Sequence, residues 1–297
     1  MPFLEAALSV RRDQQPETEA ALEDVGALSI TLRDAEAETP DEQAIFEPGV
    51  GELPLWPTIN LSALFAADAD RRGLAQALGE LLPWLEPAQL AFAPVADQDW
   101  ERVWMDQYQP MAFGRRLWVY PWNIEPPAGH TVVRLDPGLA FGSGTHPTTA
   151  LCLEWLDGLE LGGRTLLDYG CGSGILAIAA LVLGAAHAVG VDNDPQALLA
   201  SADNAQRNGV DARLSLYPPQ EFPATPADVF VDNILAGPLA ALAPTFAAAC
   251  KPGAPFAISG ILAGQQDELL ACYAAWFDDL CVAMREDWVR ISGRRRG

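Results

Sequence analysis

Glycines and acids in a fixed spacing carry the most chemistry in this chain. Leu166-Leu167-Asp168-Tyr169-Gly170-Cys171-Gly172-Ser173-Gly174 is followed, after an apolar stretch, by Val189-Gly190-Val191-Asp192. Thr165, Leu166 and Leu167 suit a short buried strand, and the glycines interrupt its continuation. Ile175 to Leu183 is apolar and helix-favouring, with Gly184 as a stop. The predicted unit is a strand, a glycine turn, a helix and a second strand ending in an acid. Glycines at such a turn let backbone N–H groups come close to a ligand, and the second acid can accept hydrogen bonds from a ribose. Dinucleotide sites use G-x-G-x-x-G with the pyrophosphate on the helix N-terminus. Here the spacing is G-x-G-x-G, and Asp168 ends the first strand. Asp168 would repel an anion, but not a ligand carrying an ammonium and a sulfonium. A tight strand–helix connection would account for the glycines alone, not for their coincidence with Asp168 and Asp192.

This pattern resembles the class I S-adenosylmethionine-dependent methyltransferases. Two further segments refine the site. The first runs from Asp136 to Thr149 and contains Phe141-Gly142-Ser143-Gly144-Thr145-His146-Pro147-Thr148-Thr149. It is a glycine-rich loop entering a helix, with Pro147 near the first turn. Free N–H groups and the Thr148 and Thr149 hydroxyls can hold a carboxylate there, such as the one on the methionine end of the cofactor. His146 has the chemistry of a general base, but a histidine beside proline at a helix start is more often structural. The second segment is Val231-Asp232-Asn233-Ile234-Leu235-Ala236-Gly237-Pro238, at the end of the fourth strand of the alternating region. Ligands of doubly wound sheets sit beyond the carboxyl ends of the strands. Asn233 can accept from an amine and donate through its amide. Asp232 should face the other way if the strand stays regular.

Together with Asp192-Asn193-Asp194-Pro195 and, upstream, Asp99-Trp100 and Trp104-Met105, these segments are similar to the bacterial methyltransferases of ribosomal protein L-eleven. The similarity covers nearly the whole chain. The glycine turn marks only the superfamily; the long loop and Asn233-Ile234-Leu235 are far more selective. The resemblance implies S-adenosylmethionine as cofactor, an N-terminal recognition domain, a hinge-like connector, and methylation of amino groups on that ribosomal protein, its partner. It implies that Thr149, Gly170, Asp192 and Asn233 bind the cofactor. With the loop and turn residues, the candidate binding set is Phe141, Thr145, Thr148, Thr149, Asp168, Gly170, Gly172, Gly174, Asp192 and Asn233. Asn233 is the catalytic candidate, and no metal is expected. Ser143 stands where the family pattern leads us to expect Thr, and Asp232 where we expect a small residue. A methyltransferase for another protein or small molecule, and a non-catalytic assembly factor, are the rival readings. Related glutamine and adenine enzymes carry Asn-Pro-Pro-aromatic at the fourth strand, which Asn233-Ile234-Leu235 lacks. Intact Asp168, Asp192 and Asn233 speak against a mere scaffold.

The implied reaction is an in-line displacement by a neutral amine. A lysine, with pKa about 10.4, needs about 4–5 kcal/mol to be deprotonated at pH 7, whereas an α-amine needs only about 1. Asn233 would orient the nitrogen; no side chain is assigned as general base.

The elements that must position these residues fall into two regions. Strands near Leu166, Val189, Leu214, Val229 and Phe256 alternate with helices at Ile175 to Leu183, Pro195 to Asn208, Leu239 to Ala249 and Gln265 to Trp276. Asp194 can cap the helix at Pro195. Such alternation predicts an α/β, doubly wound, mostly parallel sheet, seven-stranded in the family it resembles. Leu280 to Arg285 and Trp288 to Ser292 are linked too closely for a helix and should form a hairpin with an antiparallel last strand. Residues 1–95 read as a smaller β-α-β-β-α-β, ferredoxin-like α+β domain without a cofactor loop. Residues 96–130 read as a connector with a helix capped by Asp97 or Asp99 and carrying Trp100 and Trp104, followed by a strand from Leu117 to Tyr120. Residues 131–297 read as the catalytic domain.

The 297 residues carry a net charge of −22, and from Asp34 to Asp70 there are acids but no Lys or Arg. This argues against general nucleic-acid binding and favours a basic partner. The arginines at 294 to 296 read as a solvated tail. Five cysteines without a C-x-x-C pair fit a reducing cytoplasm. No run suits a membrane span, and the start lacks signal-peptide character. A monomer is expected.

Overall fold

The computed structural model describes residues 3–37, 39, 54–95, 109–136, 142 and 144–297. The chain divides into two compact units, Met1–Trp100 and Glu101–Gly297. The connector helix expected around Asp97 to Gln107 lies outside the described residues.

The first unit contains β1 (Phe3–Arg11), α1 (Gln15–Asp24), β2 (Ser29–Asp34), β3 (Thr58–Ala66), α2 (Arg71–Leu81) and β4 (Ala91–Val95). The strands lie in the order β2-β3-β1-β4, every neighbouring pair antiparallel. Strict alternation decides which face is covered. Leu4, Ala6, Leu8 and Val10 of β1 and Ile59, Leu61, Ala63 and Phe65 of β3 are buried, in one cluster with Leu22 of α1 and Leu78 of α2. Asp70 starts α2 by accepting from the Arg72 amide at 3.0 Å.

The second unit opens with a small sheet of β5 (Met111–Phe113), β6 (Leu117–Pro121) and β7 (Thr131–Leu135). Only β6 was expected there. Three residues are too few for β5 to show alternation, and β7 is recognisable only through its parallel pairing with β6. There follow α3 (Pro147–Asp157), β8 (Thr165–Tyr169), α4 (Ile175–Val182), β9 (His187–Val191), α5 (Pro195–Arg207), β10 (Leu214–Tyr217), β11 (Val229–Asn233), α6 (Ala236–Ala248), β12 (Pro255–Leu262), α7 (Gln266–Tyr273), β13 (Phe277–Arg285) and β14 (Trp288–Arg295). The large sheet has the order β10-β9-β8-β11-β12-β14-β13. Its first five strands are parallel; β14 runs antiparallel to both β12 and β13. Helices cover both faces, and α4 is buried from Ile175 to Leu181. The chain fills the sheet outward from β8 in one direction and then from β11 in the other. That reversal leaves a crevice beyond the carboxyl ends of β8 and β11.

Several boundaries differ from the expected ones. Helix α6 begins three residues early, because Gly237 and Pro238 fit a first turn that needs no amide donors. Helix α7 stops at Tyr273, short of Trp276. The terminal arginines are not a solvated tail. Arg295 donates from Nε to the Ala247 carbonyl at 2.8 Å, at the end of α6, and from Nη1 to the Trp276 carbonyl at 3.0 Å, just after α7. Arg296 pairs with Asp278 at 2.8 Å.

Helix α3 is joined to the small sheet at its last residue. The buried Asp157 carboxylate accepts from the Arg115 amide at 2.6 Å, the Arg116 amide at 3.2 Å and Arg116 Nε at 3.3 Å. It thereby fixes the β5–β6 turn against the helix that carries Thr148 and Thr149. Asp157→Ala should destabilise this unit by about 2–3 kcal/mol in urea unfolding, because amide acceptors are lost. Arg116→Ala should cost about 1 kcal/mol or less, since that ion pair is half exposed. Equal losses in both variants would mean that the ion pair, not the turn amides, is the important contact.

Candidate active site

Asp168 is completely buried at the end of β8. Its Oδ2 accepts from the Ala177 amide at 3.0 Å. Ala177 lies in the first turn of α4, a helix whose own N-cap, Gly174, offers no side chain. The strand thus supplies the helix cap. Oδ1 is buried and has no partner. Gly170, Gly172 and Gly174 bridge strand and helix with φ of 75°, 54° and 77°, in the left-handed region that side chains disfavour. The Gly170 and Cys171 amides donate to the Val191 carbonyl at 2.7 and 3.0 Å, folding the turn onto β9. Asp192 completes it. Its Oδ2 accepts from the Gly172 amide at 2.8 Å and its Oδ1 from the Asp194 amide at 3.0 Å. Each oxygen keeps acceptor capacity for a further donor. Asp194 caps α5 as expected, accepting from the Gln196 amide at 2.8 Å.

Helix α5 holds the turn from outside through residues that the motif did not mark. Ser201 donates to the Gly172 carbonyl at 2.9 Å. Asn204, fully buried, donates to the Ser173 carbonyl at 3.0 Å and accepts from the Asp136 amide at 3.2 Å. Asn208 both accepts from the Arg134 amide and donates to the Arg134 carbonyl, each at 2.7 Å. Thus α5 joins the glycine turn to the strand that leads into the long loop. The available signal was polar residues at 201, 204 and 208 on the inner side of an amphipathic helix. Ser173 closes the circuit by donating to the Gly142 carbonyl at 2.7 Å. Of the loop candidates, Phe141 lies outside the described residues, as does Ser143. Thr145 is exposed.

His146 and the threonines meet at the start of α3. The Thr148 amide donates to His146 Nδ1 at 3.3 Å, and the Thr148 hydroxyl lies 2.7 Å from the same nitrogen. Nδ1 is therefore an acceptor, so the neutral ring carries its proton on Nε2. Burial lowers the His146 pKa against the pull of Glu286, and the ring stands edge-on to Trp288 at 4.6 Å. In this tautomer His146 is a helix cap rather than a base. Thr149 is buried one residue further on, and Asn233 Nδ2 donates to its hydroxyl at 3.2 Å. The structure thus brings together Thr149 and Asn233, which are far apart in sequence. It also places Asp168, Asp192 and the glycines in one turn at the neighbouring strand ends. No cluster of His, Cys, Asp and Glu suited to a metal occurs among the described residues.

Asp232 pairs in register with Tyr169 and Ile258, whereas Asp168 pairs with Val231. The two acids therefore project to opposite faces, as expected from a regular strand. Both Asp232 oxygens are fully buried without a hydrogen bond, and only the adjacent Asn233 amide favours its ionised form. Burial, and then Asp168, hold the Asp232 carboxyl well above the usual range. Burial also pushes Asp168 up to about 7, with the Ala177 amide opposing and Asp192 adding to the rise. In an unfolded chain an aspartate ionises near pH 4, whereas folded Asp232 stays neutral to higher pH. Stability is therefore lost as pH rises above about 4, by about 1.4 kcal/mol for each unit of separation between the two pKa values. Asp232→Asn should match the native protein near pH 4 and exceed it increasingly toward pH 8. Denaturant titrations across that range test this; a pH-independent difference would refute it.

The family model described as Ribosomal protein L11 methyltransferase (PrmA) matches residues 2–296. A ribosomal protein L11 methyltransferase of Xanthomonas axonopodis pv. citri (strain 306) is 58% identical over 306 aligned positions, covering all of both chains. One from Pseudomonas aeruginosa (strain LESB58) is 55% identical over 298 positions, covering all of this chain and 99% of its own. A crystal structure of a ribosomal protein L11 methylase from Lactobacillus delbrueckii subsp. bulgaricus has a TM-score of 0.58 and 29% identity, covering 64% of this chain and 100% of its own. With the glycine turn, the start of α3 and Asn233 at the carboxyl ends of neighbouring strands, this chain belongs to the ribosomal protein L11 methyltransferase family and is a methyltransferase.

Proposed function

We propose that this enzyme transfers methyl groups from S-adenosylmethionine to amino groups of ribosomal protein L11, on lysine side chains, the N-terminal amine or both. The observation that carries this reading is the partnerless buried Oδ1 of Asp168 inside an acid-lined glycine turn, next to the paired Thr149 and Asn233. Such a turn favours a ligand with cationic groups and a ribose and disfavours a phosphate. S-adenosylmethionine supplies an electrophilic methyl on a sulfonium when bound.

The residues fit this ligand. Asp192 has capacity to accept from the ribose hydroxyls, and Asp168 from the ammonium. Gly170, Gly172 and Gly174 give the turn the left-handed backbone that brings its amides toward the ligand. Thr148, Thr149, Thr145 and Phe141 are assigned to the methionine end and its surroundings. Asn233 orients the incoming nitrogen. Alignment of this kind can lower a barrier by roughly 7–11 kcal/mol.

The first unit serves as the recognition module. We read its β2-β3-β1-β4 sheet as ferredoxin-like and the large sheet as the seven-stranded methyltransferase type. Functionally, residues 1–95 recognise, 96–130 connect and 131–297 catalyse, although β5 and β6 pack within the second unit. The acidic charge favours a basic protein substrate over nucleic acid. A cytoplasmic monomer completes the reading; no helix among the described residues is long and apolar enough to cross a membrane.

Radiolabelled methyl transfer to unmethylated L11, with mass spectrometry of the product, tests the proposal directly; no label on L11 would remove it. Asp192→Ala should weaken S-adenosylmethionine binding by roughly 1.5–3 kcal/mol in calorimetry, through lost charge-assisted hydrogen bonds. Unchanged affinity in a folded variant would displace the ribose from Asp192. Asn233→Ala should lower single-turnover rates at saturating cofactor by roughly 100-fold while leaving L11 affinity nearly intact. Native rates would reduce Asn233 to a turn residue.

A further inference from the structure

Strand β11 ends at Asn233, which pairs with Ser259 of β12. Just beyond that pair β12 bulges, its register with β14 shifting between Ile258 and Ile261. The buried Ser259 holds the bulge by donating to the Val289 carbonyl at 2.9 Å. Gly260, with φ +85°, then faces the backbone of Ile234. A Cβ there would overlap the Ile234 carbonyl oxygen and lie 2.6 Å from its carbon and 3.3 Å from the Ile234 nitrogen. On the other flank of β11, a Cβ on Gly170 would overlap Ile234 Cγ2. Ile234, just past the end of β11, is thus seated between Gly170, just past the end of β8, and Gly260 in β12. Its backbone lies against one and its side chain against the other. Asn233 immediately precedes it, and Leu235, the N-cap of α6, immediately follows.

We propose that Gly170, Ile234 and Gly260 form a clamp that positions Asn233 for methyl transfer. The inference rests on the role assigned to Asn233 above. Gly260 and Ile234 are positioning residues: they fix the peptide that follows Asn233, and so the direction in which its amide meets the reacting nitrogen. The β11–β12 pairing through Asn233 and Ser259 comes before the close approach. A disturbance at Gly260 therefore falls on the exit of the strand rather than on the sheet. The glycine at 260 is required by both its φ and its neighbour, which separates it from glycines that need only the φ. Gly253 is such a glycine, with φ +76° and nothing within 4 Å of a Cβ.

The test compares Gly260→Ala, Ile234→Ala and Gly253→Ala in the full-length protein. Side-chain amide resonances of protein labelled with ¹⁵N-asparagine, assigned with Asn233→Ala, report the clamp without reference to activity. Calorimetry gives cofactor affinity, and single-turnover assays on L11 at saturating cofactor give the rate. Gly260→Ala and Ile234→Ala should move the Asn233 resonances and lower the rate by roughly 10–100-fold, with KM for L11 and cofactor affinity within about threefold of native. Gly253→Ala should change none of these. Unmoved Asn233 resonances, native rates, or a rate loss matched by an equal loss of cofactor affinity would overturn the clamp. If Gly260→Ala does not fold, Ile234→Ala, which adds no atoms, decides the matter. A native enzyme inactive on L11 would sink the functional reading, while the resonances would still judge the clamp.

Discussion

A single buried hydrogen bond, from the Ala177 amide to Asp168 at 3.0 Å, sets the frame for the catalytic unit. Helix α4 is Ile-Leu-Ala-Ile-Ala-Ala-Leu-Val, nearly all of it buried, and it has no polar side chain with which to cap itself. Its first-turn amides still need acceptors. The strand it packs against supplies one, because Asp168 near the end of β8 faces the helix start. Once that bond is made, the distance left for the connecting turn is short. Residues 170 to 174 cross it with repeated left-handed glycines, and their amides turn toward Val191 and Asp192. One oxygen of Asp168 serves the fold. The other faces the turn without a partner.

This arrangement has an electrostatic cost. Desolvation pushes Asp168 toward neutrality, and Asp192 and Asp168 act on Asp232 in the same direction. Of the arginines on β13 and β14, Arg285 pairs with Glu154 at 2.7 Å and Arg290 donates to the Leu151 carbonyl at 2.8 Å. A cationic ligand would favour the ionised acids and so release part of the strain. Binding and folding then become linked, because whatever binds only the native state stabilises it by mass action.

What the sequence revealed and what it hid follow from the range of the interactions. The glycine turn, Asp192 and the cap at Asp194 act within one strand–helix–strand unit, so spacing alone identifies them. The hairpin at the chain end was visible because its two runs are separated by too few residues for anything else. Asn204, Asn208 and Arg295 were not visible as functional supports. Their partners at Asp136, Arg134 and Ala247 lie many residues away, and nothing local distinguishes them from solvated side chains. Nothing in the spacing marks Gly260; what distinguishes it is the Ile234 backbone beside it. Strand β5 was hidden by its length, and Phe141 falls among the residues outside the description.

The acidic charge and the chemistry pull in opposite directions. A field of −22 draws in a basic protein, but it also stabilises the ammonium form of the amine that must react. The nearest imidazole does not resolve this, because the Thr148 amide commits Nδ1 of His146 as an acceptor and leaves a proton on Nε2. Asp232 lies on the opposite face of the strand from Asn233, and Asp168 is occupied on one side by the helix. None of these is placed to receive a proton from an amine beside Asn233. Loss of the proton to water before alignment is then the simplest route, and the enzyme's task is to select the small neutral fraction. For a lysine that fraction costs about 4–5 kcal/mol at pH 7, and for an α-amine only about 1. On the role proposed for Asn233, orientation of the amine has to offset that cost, a task that rests on alignment at the strand end and not on an additional charged group.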